Sequence, residues 1–318
     1  MKTTLTKILT IIILVSLFLT GCNNSAKSNN STESNNKLTI VTSFYPMYIS
    51  TLNIVKDIPN VEVLNMTTSQ TGCLHDYSLS TKDLKTLSNA DILIINGAGM
   101  ESFLDDVIDK YSDLKIIEAS KGIDLIEDTE HDDHTEDHDH EDHDHDVNPH
   151  VWVSISKNIE EVSNIAEELS SLDPNHANEY QNNANEYIAK LENLKTEMHS
   201  TLDNIAHKDI ITFHEAFPYF AEEFGLNIVG VIEIEPDSEP SAKEVENIIS
   251  IINEKNIKAL FTEPQYSSKI ADTIAKETGA SIYTLDPIVT GDSNEKAYND
   301  YIIKMQENLN TLKEALKW

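Results

Sequence analysis

The stretch NHANEYQNNANEYIAKLENLKTEMHSTLDNIA, residues 175–206, decides the fold. Within it Tyr180, Ala184, Tyr187, Leu191, Leu194, Met198, Leu202 and Ile205 recur at spacings of 3 and 4, the period of one helix face. A helix of about 30 residues runs roughly 45 Å, long enough to cross a whole molecule. Just upstream, SISKNIEEVSNIAEELSSL (154–172) carries a second helical pattern, and Leu172-Asp173-Pro174 breaks it.

Outward from this helix, apolar runs alternate with helical patterns on both sides. Before it come LTIVTSF (38–44), VEVLNM (61–66), the helical STKDLKTLSNA (80–90), DILIING (91–97) and LKIIEA (114–119). After it come DIITF (209–213), NIVGVIE (227–233), IKALFTE (257–263) and ASIYTLD (280–286), again with helical segments between. Strands alternating with helices imply parallel sheets with crossover helices. The expected class is α/β: one lobe over 38–172, a linking helix over 173–206 and a second lobe over 207–318. The halves match in layout only, and no short-period repeat is present.

The N-terminus reads as an export signal over residues 1–21. Lys2 and Lys7 supply its positive end, and Ile8 to Leu19 its apolar stretch, too short for a membrane span of about 20 residues. It runs into Leu19-Thr20-Gly21-Cys22, a pattern like a bacterial lipobox. On that reading Cys22 is lipidated and anchors the chain to the outer face of the cell membrane. Residues 22–37, rich in Asn and Ser, then form a flexible tether. With Cys22 acylated, the other cysteine, Cys73, has no partner for a disulfide.

The formal net charge is -32, and lysine supplies every positive side chain, since the chain has no arginine. That excludes nucleic acid as a partner, because phosphate binding needs clustered cations, and it favours cations as ligands. Much of the acid lies in residues 128–146, which hold eleven carboxylates, six histidines and two threonines. Such a run cannot build a core. His131, His134, His138, His140, His143 and His145 can bind zinc, but each arrangement costs ordering entropy, so they form an accessory low-affinity set.

In open α/β sheets, ligands bind beyond the carboxyl ends of strands. Four residues with metal-ligating side chains stand at such places: His75 after VEVLNM, His150 opening the strand-like VWV, His214 ending DIITF and Asp286 ending ASIYTL. Each alone has an ordinary reading as a loop residue or a turn former before proline. Together, from two lobes, three imidazoles and one carboxylate make a closed set suited to zinc. Glu101, Glu263 and Tyr77 fall near the same strand ends, where a carboxylate can hold an imidazole N–H.

From about residue 38 to 318 the chain resembles the lipoproteins that bind metal for zinc and manganese ABC importers, the ZnuA/AdcA-like group. The resemblance rests on GCLHDY with His75, NPHVWV with His150, FHEAFPYF with His214, EPSAKE (239–244), FTEPQ (261–265) and LDPI with Asp286. It implies two lobes joined by one rigid backbone helix, a metal site in the cleft between them with these four ligands, and zinc as transported cargo. The partner implied is a membrane permease, with the chain acting as a monomer and not as an enzyme. Members that carry zinc have histidine at the third position, as His214 is here, whereas manganese members have glutamate. Glu215 beside it leaves that register open, and manganese, nickel or cadmium remains an alternative cargo. Cys73 departs from the family, and a thiol two residues from His75 is read as a small buried residue. The acidic histidine run matches an insertion common in zinc members. The rival readings are a zinc hydrolase, with Glu215 as its base, and an extracellular zinc buffer or adhesin.

Overall fold

Among the described residues, eight β-strands make two four-stranded sheets, all parallel. In the first, β1 (Leu38–Thr42), β2 (Val61–Asn65), β3 (Ile92–Ile95) and β4 (Lys115–Glu118) stand in the order β2-β1-β3-β4. In the second, β5 (Asp209–Thr212), β6 (Asn227–Val231), β7 (Ala259–Thr262) and β8 (Ser281–Thr284) repeat it as β6-β5-β7-β8. The computed structural model describes residues 37–67, 72–74, 77–108, 111, 113–127, 147–232 and 240–317. His75, Cys22, the export signal and the histidines of 128–146 lie outside these. Residues from Lys37 onward form one compact unit. No helix among the described residues is long and apolar enough to cross a membrane.

The helices are α1 (Tyr45–Ile54), α2 (Thr81–Leu87), α3 (Asp105–Ile108), α4 (Ile155–Leu172), α5 (Ala177–Leu202), α6 (Pro218–Phe224), α7 (Ala242–Lys255), α8 (Lys269–Thr278) and α9 (Asp300–Ala315). Helix α5 is the long helix of the sequence. Its buried residues are Tyr180, Ala184, Tyr187, Leu191, Leu194, Met198 and Leu202, the stripe that its spacing predicts. At 26 residues it spans about 39 Å. It ends at Leu202, so Ile205 lies past the helix, partly buried against the same core. Helix α5 packs on α4, α9 and α1, and its stripe joins one core that reaches both sheets.

The central strands of each sheet, β1 and β3 in the first and β5 and β7 in the second, are buried on both faces, as parallel strands require. Ile40, Ile92 and Ile94 face the central core, while Val41 and Leu93 between them face a separate cluster with Leu87 and Leu104. The second sheet does the same: Ile210, Ala259 and Phe261 point to the central core, Ile211 and Leu260 to a cluster with Ile248, Ile252 and Ile274. This period of two puts the outer helices on one face of each sheet and the shared helices on the other.

One local expectation changes. The run Val151-Trp152-Val153 is a buried 3-10 turn rather than a strand, because it leads straight into the N-cap of α4 at Ser154. Within EPSAKE, Ser241 and Glu244 form a reciprocal capping box at the start of α7, so part of that motif is helix punctuation.

Candidate metal centre

His150 is placed by its own turn. Asn148 Oδ1 accepts from the His150 backbone N–H at 3.0 Å and lies 3.1 Å from His150 Nδ1. Pro149 is fixed as well, since its carbonyl accepts from Asn96 Nδ2 at 3.0 Å. Behind that, Glu101 closes the carboxyl ends of β1 and β3. Its oxygens accept from Ser43 Oγ at 2.7 Å and from the backbone N–H of Asn96 and Gly97 at 2.8 and 3.0 Å. Gly97 sits at φ +82, and a Cβ there would overlap the Glu118 side chain, so only glycine fits. Burial raises the Glu101 carboxyl to about 7, against these hydrogen bonds.

His214 follows β5 at the point where strand order in the second sheet reverses, and Glu263 follows β7 at the same point. His214 Nδ1 lies 3.2 Å from Glu263 Oε1, while Glu263 Oε2 accepts from Gln265 Nε2 at 2.7 Å. Both imidazoles thus have Nδ1 against an oxygen, which fixes the tautomer and makes Nε2 the nitrogen that would hold a metal. The two rings are 4.9 Å apart between centroids at 81°, and both are almost fully buried. Burial lowers the His214 pKa, but Glu263 and Cys73 outweigh it, and the net direction is well upward.

The third member of the group is Cys73, in the segment after β2. Its Sγ lies 2.9 Å from His150 Nε2, and the ligating atoms of Cys73, His150 and His214 all fall within 4.8 Å of one another. Burial pushes this thiol up, partly offset by His214. Among the described residues these three are the cluster able to hold a metal ion.

Of the residues expected from the sequence, the structure brings His150 and His214 together and gives Glu263 the imidazole-holding role. Asp286 is not in the group. Lys304 Nζ pairs with its Oδ2, and Oδ1 accepts from the Ile288 backbone N–H at 2.7 Å. Glu101 acts at a distance through Asn96, and Tyr77 donates to Asp83 at 2.8 Å. Asn148 is not among the residues that the sequence singles out, and Cys73, which the sequence reads as a small buried residue, stands in the group. Asn148 was legible as a turn-forming Asn two residues before a candidate histidine.

A family model for the zinc-uptake complex component A, periplasmic, matches residues 40–315. The chain belongs to this family. It is 36% identical over 304 residues to the high-affinity zinc uptake system protein ZnuA of Bacillus subtilis, covering 94% of each. It is 31% identical to the zinc-binding lipoprotein AdcA of Streptococcus pneumoniae, over 95% of this chain but only 59% of that longer protein. The solved structure of the solute-binding protein FpvC from Pseudomonas aeruginosa, in complex with Mn2+, superimposes with a TM-score of 0.74 at 29% identity, covering 88% of this chain and 98% of that one. Membership fixes the class as the solute-binding component of a transporter, not an enzyme. It also accounts for the two parallel-sheet lobes.

Proposed function

We propose that this chain captures zinc outside the cytoplasm and delivers it to the permease of an ABC importer. The observation that carries this reading is the pair His150 and His214. They lie on segments more than sixty residues apart in sequence, yet their rings meet at 4.9 Å, buried, each oriented through Nδ1. Two preset imidazoles suit zinc better than the oxygen-rich sets that suit manganese. The proposed ligands are His150 and His214, joined by His75; the fourth position is the one the resemblance gives to Asp286. Recruitment of Asp286 requires its pair with Lys304 to open. The histidines of 128–146 serve as a low-affinity collector. Lipidation at Cys22 tethers the protein, as a monomer, beside its permease.

The test is thermal unfolding with and without zinc. Zinc that binds the native state alone stabilises it by about 4 kcal/mol at a thousandfold excess over Kd. His150→Ala and His214→Ala should each remove most of that gain, and a strain lacking the chain should lose uptake when zinc is scarce. A wild-type protein whose melting temperature ignores zinc sinks the proposal.

A further inference from the structure

We propose that Cys73 is a metal ligand, and that its Sγ rather than the Asp286 carboxylate closes the coordination around the cargo ion. The inference rests on the metal-capture reading above and refines it.

The first support is geometric. Around a tetrahedral zinc, bonds of about 2.3 Å to sulfur and 2.0–2.1 Å to nitrogen put S and N about 3.6 Å apart and two nitrogens about 3.3 Å apart. Cys73 Sγ already stands 2.9 Å from His150 Nε2, and all three ligating atoms lie within 4.8 Å. Side-chain shifts of about 1–1.5 Å place all three on one ion. Cys73 also departs from the ordinary setting of a buried thiol. Its sulfur faces two imidazoles instead of apolar carbon alone, and the adjoining Gly72 is close enough to Gln265 and Tyr266 that even a Cβ there would touch them. The segment is therefore held against the half of the chain that carries His214 and Glu263.

The second support is the state of Asp286. Both its oxygens are engaged, by Lys304 and by the Ile288 N–H, and its backbone is fixed on both sides by Asn308, at 2.8 Å each. To bind the ion it must abandon Lys304 and leave that ammonium close to a second cation. Cys73 has only to exchange its proton for the metal: the S–H bond breaks, the proton passes to water, and the sulfur pair forms the bond to the ion. A thiolate in place of a carboxylate makes the site softer, so it should favour zinc and cadmium over manganese.

Cobalt(II) in place of zinc reads this directly, because a thiolate bound to cobalt gives an intense near-ultraviolet charge-transfer band. The expected result is a band in the wild type that disappears in Cys73→Ser, which should still bind cobalt through its histidines, and persists in Asp286→Asn. In competition, the preference of Cys73→Ser for cadmium over manganese should drop by at least the roughly 10- to 100-fold that losing even an outer partner of a metal site costs. A cobalt-loaded wild type without the band overturns the inference while leaving metal capture intact, as does a band retained in Cys73→Ser. A wild type that binds neither cobalt nor zinc defeats the proposed function and this inference with it.

Discussion

Asn148 holds His150 twice, through one side-chain oxygen that serves both the backbone N–H and Nδ1, while its own Nδ2 donates to the Glu215 carbonyl at 2.9 Å. One amide therefore aims the first imidazole and ties it to the residue next to the second. Asn148→Ala removes all of this without touching a ligand. Zinc affinity should fall by roughly 10- to 100-fold, as for other partners that orient a metal-binding histidine. Asn148→Asp keeps the acceptor and should recover part of the loss. Competition against a chromophoric chelator measures it, and an unchanged affinity in Asn148→Ala would show that this contact does not position a ligand.

Glu101 sets a pH dependence of stability. Its folded pKa, about 7, stands above the ordinary 4.5, so between those values the native state holds a proton that the unfolded chain has released. Stability from this group is full below about pH 4.5 and is lost as pH rises to about 7, a change of order 3 kcal/mol. Glu161 on α4 is fully buried and shifted the same way by burial, then by Glu101, so it adds to the slope. Denaturant unfolding of Glu101→Gln across pH 5–7 should show a flatter decline than wild type. A steeper or unchanged decline would mean that Glu101 does not carry it.

Much of this arrangement was legible in the chain, for reasons that differ by residue. The stripe of α5 was readable because one face is buried and the other wet, which is the only case a 3.6 period detects. Helix α1 left no such trace: Tyr45, Met47, Tyr48, Ile49, Ser50, Thr51, Asn53 and Ile54 are all buried, so no polar face marks its period. Val151-Trp152-Val153 read as a strand because a short apolar run has no period to separate the two. His214 was found from strand-end logic, which depends on topology that the alternating pattern reveals. Cys73 reads as a small buried residue because side chains two apart need not point the same way, and residues 72–74 are not in a strand, so no alternation governs them. The Lys304 partner of Asp286 lies on α9, and nothing local connects the two.

Trp152 ties the turn after His150 to the loop after β8. Its Nε1 donates to the Pro287 carbonyl at 2.8 Å, its own carbonyl accepts from Tyr301 at 2.8 Å, and its ring meets Phe44 edge-on at 4.9 Å. Trp152→Phe keeps an aromatic ring but strips the donor from a buried carbonyl, at a cost of about 1–3 kcal/mol. The loss should appear as a lower unfolding midpoint. If Asp286 is not a ligand, zinc affinity should barely change, so a parallel loss of affinity would argue that the loop carrying Asp286 and Pro287 feeds the site.

Glu127 and Val147 flank the acidic histidine run, and they pair across an antiparallel bridge, with the Asn148 N–H donating to the Ile126 carbonyl at 2.9 Å. Residues paired in this way stand about 5 Å apart, so a two-residue Asn-Gly turn can join them directly. Replacing residues 128–146 by such a turn removes eleven acids and six histidines while leaving Asn148 and His150 anchored from both sides. The fold should survive, and the tight site should keep its affinity within about tenfold, or 1.4 kcal/mol. The number of zinc ions bound should fall, and the ions lost should be the weak ones. That weak binding should already fade in the intact chain in mildly acidic solution, because an imidazole that takes up a proton loses the lone pair that binds metal. Isothermal titration of both proteins at neutral pH separates the two classes of site. Loss of the tightest event on deletion would place a ligand inside the run and remove the distinction between a collector and the buried pair His150 and His214.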